Sequence, residues 1–477
     1  MSVFDLKPDR PSGEVEEPVS PPEPRPLRER IPAPMRGPAV WVRSQMGRVI
    51  PDDVWKNWCW DAMAGISAGI YQGAIWTFAL QLARGHLQAT KFQMALATAA
   101  PAVGYLFATL WARQMEGRSK LPFVTITWLI SRGLFLLTPF IVRGGVGREM
   151  FVSLIVLTPI LFSVSTPAYT AIMKDIYPDR LRGRLMSLVR VGMAASMLLT
   201  ARVMGLWQQY HGLDFRWMFF IGGIFGVGTA YAFSRLKIPQ SSTAAAPPPP
   251  IGKFLSQTFS ILIHNKGYRW FTVSVFVSGF GNLVANTYYP IYQVDQFHIT
   301  PTQIATMQNI AGALSLVSLF FWGGFMDRFG SLTTVLLACL IICMTPLIYA
   351  FSPSVSWLYL AGAANGIASS GIDIGYLNTT LMFAEPGRAA QYQAVHSTFF
   401  GMRGTIAPLL AIPLLDALTR IALHGNPALE TRTVPHFHDW KHAFLVCMSI
   451  MFLGAMFQLA SMNSFRRRQQ EQESRSG

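Results

Sequence analysis

The sequence predicts an all-α polytopic membrane protein, with twelve transmembrane helices in two pseudo-symmetric six-helix bundles. Three observations lead there. Apolar runs of roughly 20 residues, the length that crosses a hydrocarbon core, recur along the chain. Only 13% of the 477 residues are charged while 51% are hydrophobic, against about a quarter charged in soluble domains. Two polar loops also recur at nearly the same offset in the two halves of the chain.

Residues 1–57 are rich in Pro, Arg and Glu and lack the apolar core of a signal peptide, so they are expected to form a disordered cytoplasmic tail. Twelve spans follow at approximately 60–83, 92–112, 121–142, 150–173, 185–208, 216–234, 268–293, 303–326, 332–351, 355–382, 392–415 and 442–463. Between the sixth and seventh lies KIPQSSTAAAPPPPIGKF, a Ser, Ala and Pro segment that reads as a linker. The expected plan is therefore a bundle over 58–234, a linker over 235–267, a second bundle over 268–464 and a short tail over 465–477. With the N-terminus inside, 27 Lys and Arg fall on the inner side and 8 on the outer, as the positive-inside rule requires. The net charge of +15 is thus a topology signal and calls for no nucleic acid. Cys59, Cys339, Cys343 and Cys447 sit in or beside apolar runs, where packing is the plainer role than disulfide or metal chemistry.

The repeat is carried by WARQMEGRS (Trp111 to Ser119) and WGGFMDRFG (Trp322 to Gly330). Glu116 aligns with Asp327 at an offset of 211 residues, and a second pair of loops, matching Arg180 with Arg388, gives 208. Two related six-helix halves are a common transporter plan, with the substrate path where they meet. Gly323-x-x-x-Asp327-Arg328-x-Gly330 resembles the signature loop of the major facilitator superfamily of secondary transporters, and PDRLRGR (Pro178 to Arg184) resembles that superfamily's basic loop after the fourth helix. The first-half copy departs from the pattern, with Ala112 for a glycine and Gly117 for a base. The resemblance implies a cytoplasmic gate formed by Gly323, Asp327, Arg328 and Gly330, with Glu116, Arg180 and Arg388 as its other members. Physically, glycines let helix ends approach closely, and the acid can accept bonds from a neighbouring helix terminus or an Arg.

Charged groups inside spans are costly and point to function. Asp373 and Arg403 lie at similar depth on the adjacent tenth and eleventh spans, so they can pair, either as a proton-linked switch or as a static bridge; His396 can join either. Arg132 lies in the third span, which the resemblance makes peripheral, and Asp61 starts the first, near inner-loop arginines. Buried bases outnumber buried acids, which leans toward an anionic or electron-rich solute. The resemblance makes the first, fourth, seventh and tenth helices line the path. They offer Tyr71, Gln72, Trp76, Ser165, Tyr169, Asn282, Asn286, Tyr289, Asn365 and Asn378 as a candidate substrate cavity, since amides, hydroxyls and rings orient a mostly apolar solute. Gly65, Gly69 and Gly73 form a small-residue stripe suited to close helix contact. The loop HFHDWKH, with His436, His438, Asp439 and His442, reads as polar rather than metal-binding.

No phosphate-binding loop, nucleophile elbow or zinc-protease motif occurs in the sequence. The resemblance then implies a non-enzymatic transporter of a small solute across the cell membrane by alternating access. It implies energy from an ion gradient, protons above all, and neither cofactor nor metal; a monomer with both termini cytoplasmic is expected. The competing expectation is a non-transporting sensor or assembly factor on the same scaffold, recruiting partners through its Pro-rich tail.

Overall fold

A computed structural model describes residues 52–106, 119–142, 144–178, 181–212, 214–238, 260–385, 388–423 and 437–476. The chain divides into two compact units, Met1–Cys59 and Trp60–Gly477. Most of the expected tail and linker, together with Glu116, Arg180 and His436, lies outside the described residues.

The described chain is a succession of helices. The first expected span is taken by α1 (Asp52–Ala74) and α2 (Ala79–Gly85), the second by α3 (Lys91–Leu106). The third combines α4 (Lys120–Gly133) with a 3-10 helix (Leu134–Phe140), and the fourth combines α5 (Gly145–Ser163) with α6 (Thr166–Ile176). The fifth and sixth are α7 (Arg182–His211) and α8 (Phe215–Ser234). The second half runs through α9 (Lys266–Asp295), α10 (Pro301–Phe329), α11 (Ser331–Phe351), α12 (Val355–Phe383), α13 (Ala389–Leu423) and α14 (Phe437–Ser476). Eight of these stretches are long and apolar enough by themselves to cross a membrane. The four remaining expected spans fall short of that measure among the described residues. The first is broken, the second is described only to Leu106, and α9 and α12 carry Asn282, Asn286, Asn365 and Asp373 among their apolar residues.

Local chemistry sets the helix ends. The Asn265 side chain accepts from the Tyr268 N–H at 3.1 Å and starts α9, while Thr300 and Gln303 form a reciprocal capping box ahead of α10. Gly330 joins α10 to α11 at φ +81°, a left-handed conformation that favours glycine. In the first half the spans break midway. The Thr77 N–H reaches back five residues to the Gln72 carbonyl at 3.3 Å, and the Phe78 N–H reaches three to Ile75 at 3.0 Å. These irregular bonds keep the backbone satisfied where water is absent.

Packing follows the repeat. The second span meets the eleventh (α3 on α13), and the fifth meets the eighth (α7 on α10). A two-fold relation that carries each span to the one six later exchanges these two contacts. The first and seventh spans, each other's mates, meet at α2 and α9. The largest apolar core joins both halves toward the face holding the α9–α10 turn; it includes Phe78, Phe135, Phe219, Tyr288, Tyr292 and Trp440. A separate core around Tyr268, Phe271, Phe383 and Tyr392, toward the face where α14 ends, belongs to the second half alone. These are called below the opposite face and the C-terminal face.

The glycine stripe packs α1 onto α7. A methyl at Gly65 would lie 2.7 Å from Val189 Cγ1, and one at Gly73 would lie 3.1 Å from the Ala201 backbone nitrogen. At Gly69 it would meet the Met193 backbone, which cannot swing aside. Gly69→Val is therefore expected to destabilise the protein by about 1–3 kcal/mol through overpacking. A thermal unfolding scan in detergent checks this against Gly183→Ala, where the added methyl meets nothing within 4 Å.

Candidate functional site

Three cavities gather most of the candidate residues. The first, of about 230 Å³, is lined by Tyr71, Gln72, Trp76, Ser131, Arg132, Thr158, Pro159 and Phe162. The second, of about 510 Å³, shares Gln72, Arg132 and Phe162 with it and adds Asp61, Ser165, Tyr169 and Arg190. The third, of about 470 Å³, lies in the second half between Asn282, Asn286, Asn365, Asp373, His396 and Arg403. The breaks in the first-half spans supply the walls of the first two. Tyr71, Gln72 and Trp76 sit at the α1–α2 break, Ser165 at the α5–α6 break, and Arg132 just before α4 tightens into its 3-10 turn.

Two cavity candidates sit elsewhere. Asn378 is exposed and donates to the Ile374 carbonyl of its own helix at 2.8 Å, so it lines none of the three cavities. Tyr289 stacks between Tyr349, at 4.3 Å, and Phe444, at 5.7 Å, within the aromatic core; its hydroxyl is buried without a partner.

The expected Asp373–Arg403 bridge is not formed here. Both residues line the third cavity, but no ion pair joins them among the described residues. The Arg403 guanidinium turns instead toward α9, where Nη1 donates to the Val275 carbonyl, and it lies 5.0 Å from the Phe400 ring centroid. The reason is steric as well as polar: Gly279 leaves the space on α9 that Arg403 fills. Asp373 is left exposed to the cavity. His396 packs on Phe271 and against the edge of Tyr376, on the same cavity wall. Asp61 also departs from expectation, since its carboxylate accepts from the Tyr177 hydroxyl at 2.7 Å rather than from an arginine.

Arg132 is the residue the sequence underrated. It is 4% exposed, with its guanidinium carbon 4.4 Å from the Trp128 ring centroid, 5.2 Å from Tyr71 and 5.5 Å from Phe162. Its Nε and Nη1 are buried without a hydrogen-bond partner.

The two faces differ sharply. At the opposite face Arg84 grips Asp295 with two bonds, Nε to Oδ1 at 2.9 Å and Nη2 to Oδ2 at 2.7 Å. Gln81 donates to Gln293 at 3.0 Å, and Gln293 donates to the Tyr349 hydroxyl at 2.6 Å. The separations are 211 and 212 residues, matching the loop-derived repeat offset. Each residue thus meets a group at, or within one position of, its repeat mate, as groups near a two-fold axis do. Nearby, Arg202 donates to Thr306 at 3.1 Å and Asn309 to the Leu198 carbonyl at 3.0 Å.

At the C-terminal face the signature loop is loose. Asp327 is exposed and makes no hydrogen bond or ion pair among the described residues, and Arg328 rests 5.3 Å from its neighbour Phe329. Arg388 pairs locally with Glu385 at 2.5 Å and with Gln391 at 2.9 Å. A side chain at Gly323 would meet nothing within 4 Å, so the close approach expected of this glycine is absent in this conformation. One residue earlier, Trp322 anchors α10 by donating from Nε1 to the Ile367 carbonyl of α12 at 2.8 Å.

A sequence profile described as the Major Facilitator Superfamily matches residues 62–408 and 271–476. The chain belongs to that superfamily. Membership makes it a multi-pass membrane protein of a transporter family. Among solved structures of the same fold are a mutant form of the nucleoside transporter NupG (TM-score 0.64, 12% identity, covering 85% of this chain and 99% of that one) and a bacterial homolog of the human lysosomal transporter Spinster in an inward-facing, unoccupied conformation (TM-score 0.63, 13% identity, covering 86% and 97%). A search of curated protein sequences gives no match.

The superfamily signature pointed to the loop and missed the contact that closes the other face. Arg84 and Asp295 belong to no motif; opposite charges at the repeat offset would have found them. Arg132 was discounted because superfamily resemblance placed its helix at the periphery, whereas the α4 to 3-10 junction turns its head group into the cavity.

Proposed function

We propose that this chain is a secondary active transporter that moves a small solute by alternating access, acting through bundles 58–234 and 268–464. Its C-terminal face is then cytoplasmic, and this conformation is the inward-facing one, with Arg84–Asp295 and Gln81–Gln293 closing the outside. The contrast between faces carries the reading. One face is tied by contacts between the two halves at the repeat offset, while the signature acid Asp327 at the other is exposed and unpaired among the described residues. A protein held static would have no need of an untied latch opposite a tied one.

The solute site lies among the three cavities, with Tyr71, Gln72, Trp76, Ser165 and Tyr169 on one side and Asn282, Asn286 and Asn365 on the other. Gly323, Asp327, Arg328 and Gly330 form the inner gate. Coupling to protons falls to Asp373, an acid exposed to the third cavity with no basic partner bonded to it. A screen of uptake and efflux in proteoliposomes, with and without a pH gradient, tests the function; no movement of any solute in either direction would remove it. Asp373→Asn is expected to abolish gradient-driven accumulation while sparing solute exchange, and unchanged accumulation would take the proton role from this residue.

A further inference from the structure

We propose that Arg132 is the anion-binding residue of the transport site and that the solute class is a small carboxylate carried on a flat ring. The proposal rests on the transporter reading above for its meaning, but the binding site stands on its own geometry. A guanidinium removed from water needs compensation, since an unpaired buried charge costs several kcal/mol in order of magnitude. Arg132 is 4% exposed and has no carboxylate in bonding reach among the described residues. The acid on the same cavity wall, Asp61, already accepts from Tyr177 at 2.7 Å.

The rings of Trp128, Tyr71 and Phe162 surround the guanidinium at 4.4 to 5.5 Å, and cation–π attraction acts through ring faces. It leaves the N–H edges unserved: Nε and Nη1, which lie on different edges, are both buried without a partner among the described residues. Planar guanidinium edges match the paired oxygens of carboxylates and phosphates, and of the two the flat, singly charged carboxylate suits so small a cavity. Arg403, the other buried candidate, already donates to the Val275 carbonyl, so the first-half cavity is the better anion site.

The rest of the wall suits a small ring. Tyr71, Trp76 and Phe162 supply aromatic surface in a cavity of about 230 Å³, below the usual size for drug-sized ligands. Trp76 Nε1 donates to the Tyr71 hydroxyl at 3.3 Å, which leaves that hydroxyl's own proton for a ligand oxygen. The adjoining 510 Å³ cavity shares Gln72, Arg132 and Phe162 and gives access. Arg132 lies twelve residues into α4, about 18 Å along the axis at helical rise, a depth near the middle of a bilayer.

The test is binding of benzoate and of its neutral analogue benzamide to the purified full-length protein in detergent at neutral pH, read by calorimetry. Benzoate is expected to bind at least tenfold tighter than benzamide. Arg132→Gln should erase that difference. Arg132→Lys keeps the charge but loses the planar fork, so it should weaken benzoate about fivefold and still prefer it to benzamide; this variant decides the matter if the glutamine form does not fold. Equal affinity of the wild type for benzoate and benzamide, or an unchanged benzoate affinity in either variant, would overturn the proposal. Proteoliposome counterflow separates the two readings. Benzoate that binds while no solute moves would sink the transporter reading and leave the site. Movement of neutral solutes with no preference for the anion would do the reverse.

Discussion

Arg84→Asp is expected to reduce transport more than tenfold, and the double swap Arg84→Asp with Asp295→Arg to restore most of it. The pair is bidentate, links the two halves, and is only 21% and 12% exposed at its side chains, so screening by water is limited. A charge-assisted bond of this kind contributes about 1.5–3 kcal/mol. In a two-state transporter the contribution belongs only to the conformation in which the opposite face is closed. Losing about 2 kcal/mol shifts the balance between conformations roughly 30-fold. The single variant places two acids together and adds repulsion, and the swap rebuilds the contact with its polarity reversed. Initial rates of solute uptake in proteoliposomes check both steps. A double swap as inactive as the single variant would show that these residues act separately rather than as a pair.

Gly323→Val is expected to leave folding intact and abolish transport. In the conformation described here nothing lies within 4 Å of a side chain added at this position. Glycine inside a helix costs about 0.5–1 kcal/mol relative to alanine. This structure therefore gives no return for keeping it in α10. Under the alternating access proposed above, the return comes in the other conformation, when the C-terminal face closes and a neighbouring helix passes over the site. An unchanged unfolding midpoint with transport lowered at least tenfold is the expected result. Full activity in Gly323→Val would show that the closing helices never come near this surface.

Much of the fold was legible because its causes are local. Apolar runs marked the helices. The candidate site was legible only in part. Tyr71, Gln72, Trp76 and Asn286 do line cavities, since polar groups in spans tend to face the interior. What failed depended on orientation and partners across helices. Asn378 bonds its own helix, and Asp61 finds a tyrosine. Arg403 turned to Val275 because Gly279 made room. Spacing along one chain carries depth in the membrane but not which neighbour a head group will choose. The break between α1 and α2 was equally hidden, because it arises from bonds such as Thr77 to Gln72 with no proline at the break, whereas Pro139 and Pro167 accompany the other two.

The contacts at the opposite face also bear on which halves can associate. Gln81 and Gln293 are the same residue type, so that contact would survive between two identical halves, an amide meeting an amide. Arg84 and Asp295 would not. Two copies of the first half would set guanidinium against guanidinium, and two copies of the second would set carboxylate against carboxylate, while only the mixed assembly satisfies both. The charge pair therefore works as a lock-and-key for pairing unlike halves, enforcing within one polypeptide the discrimination that a heterodimer would need between two.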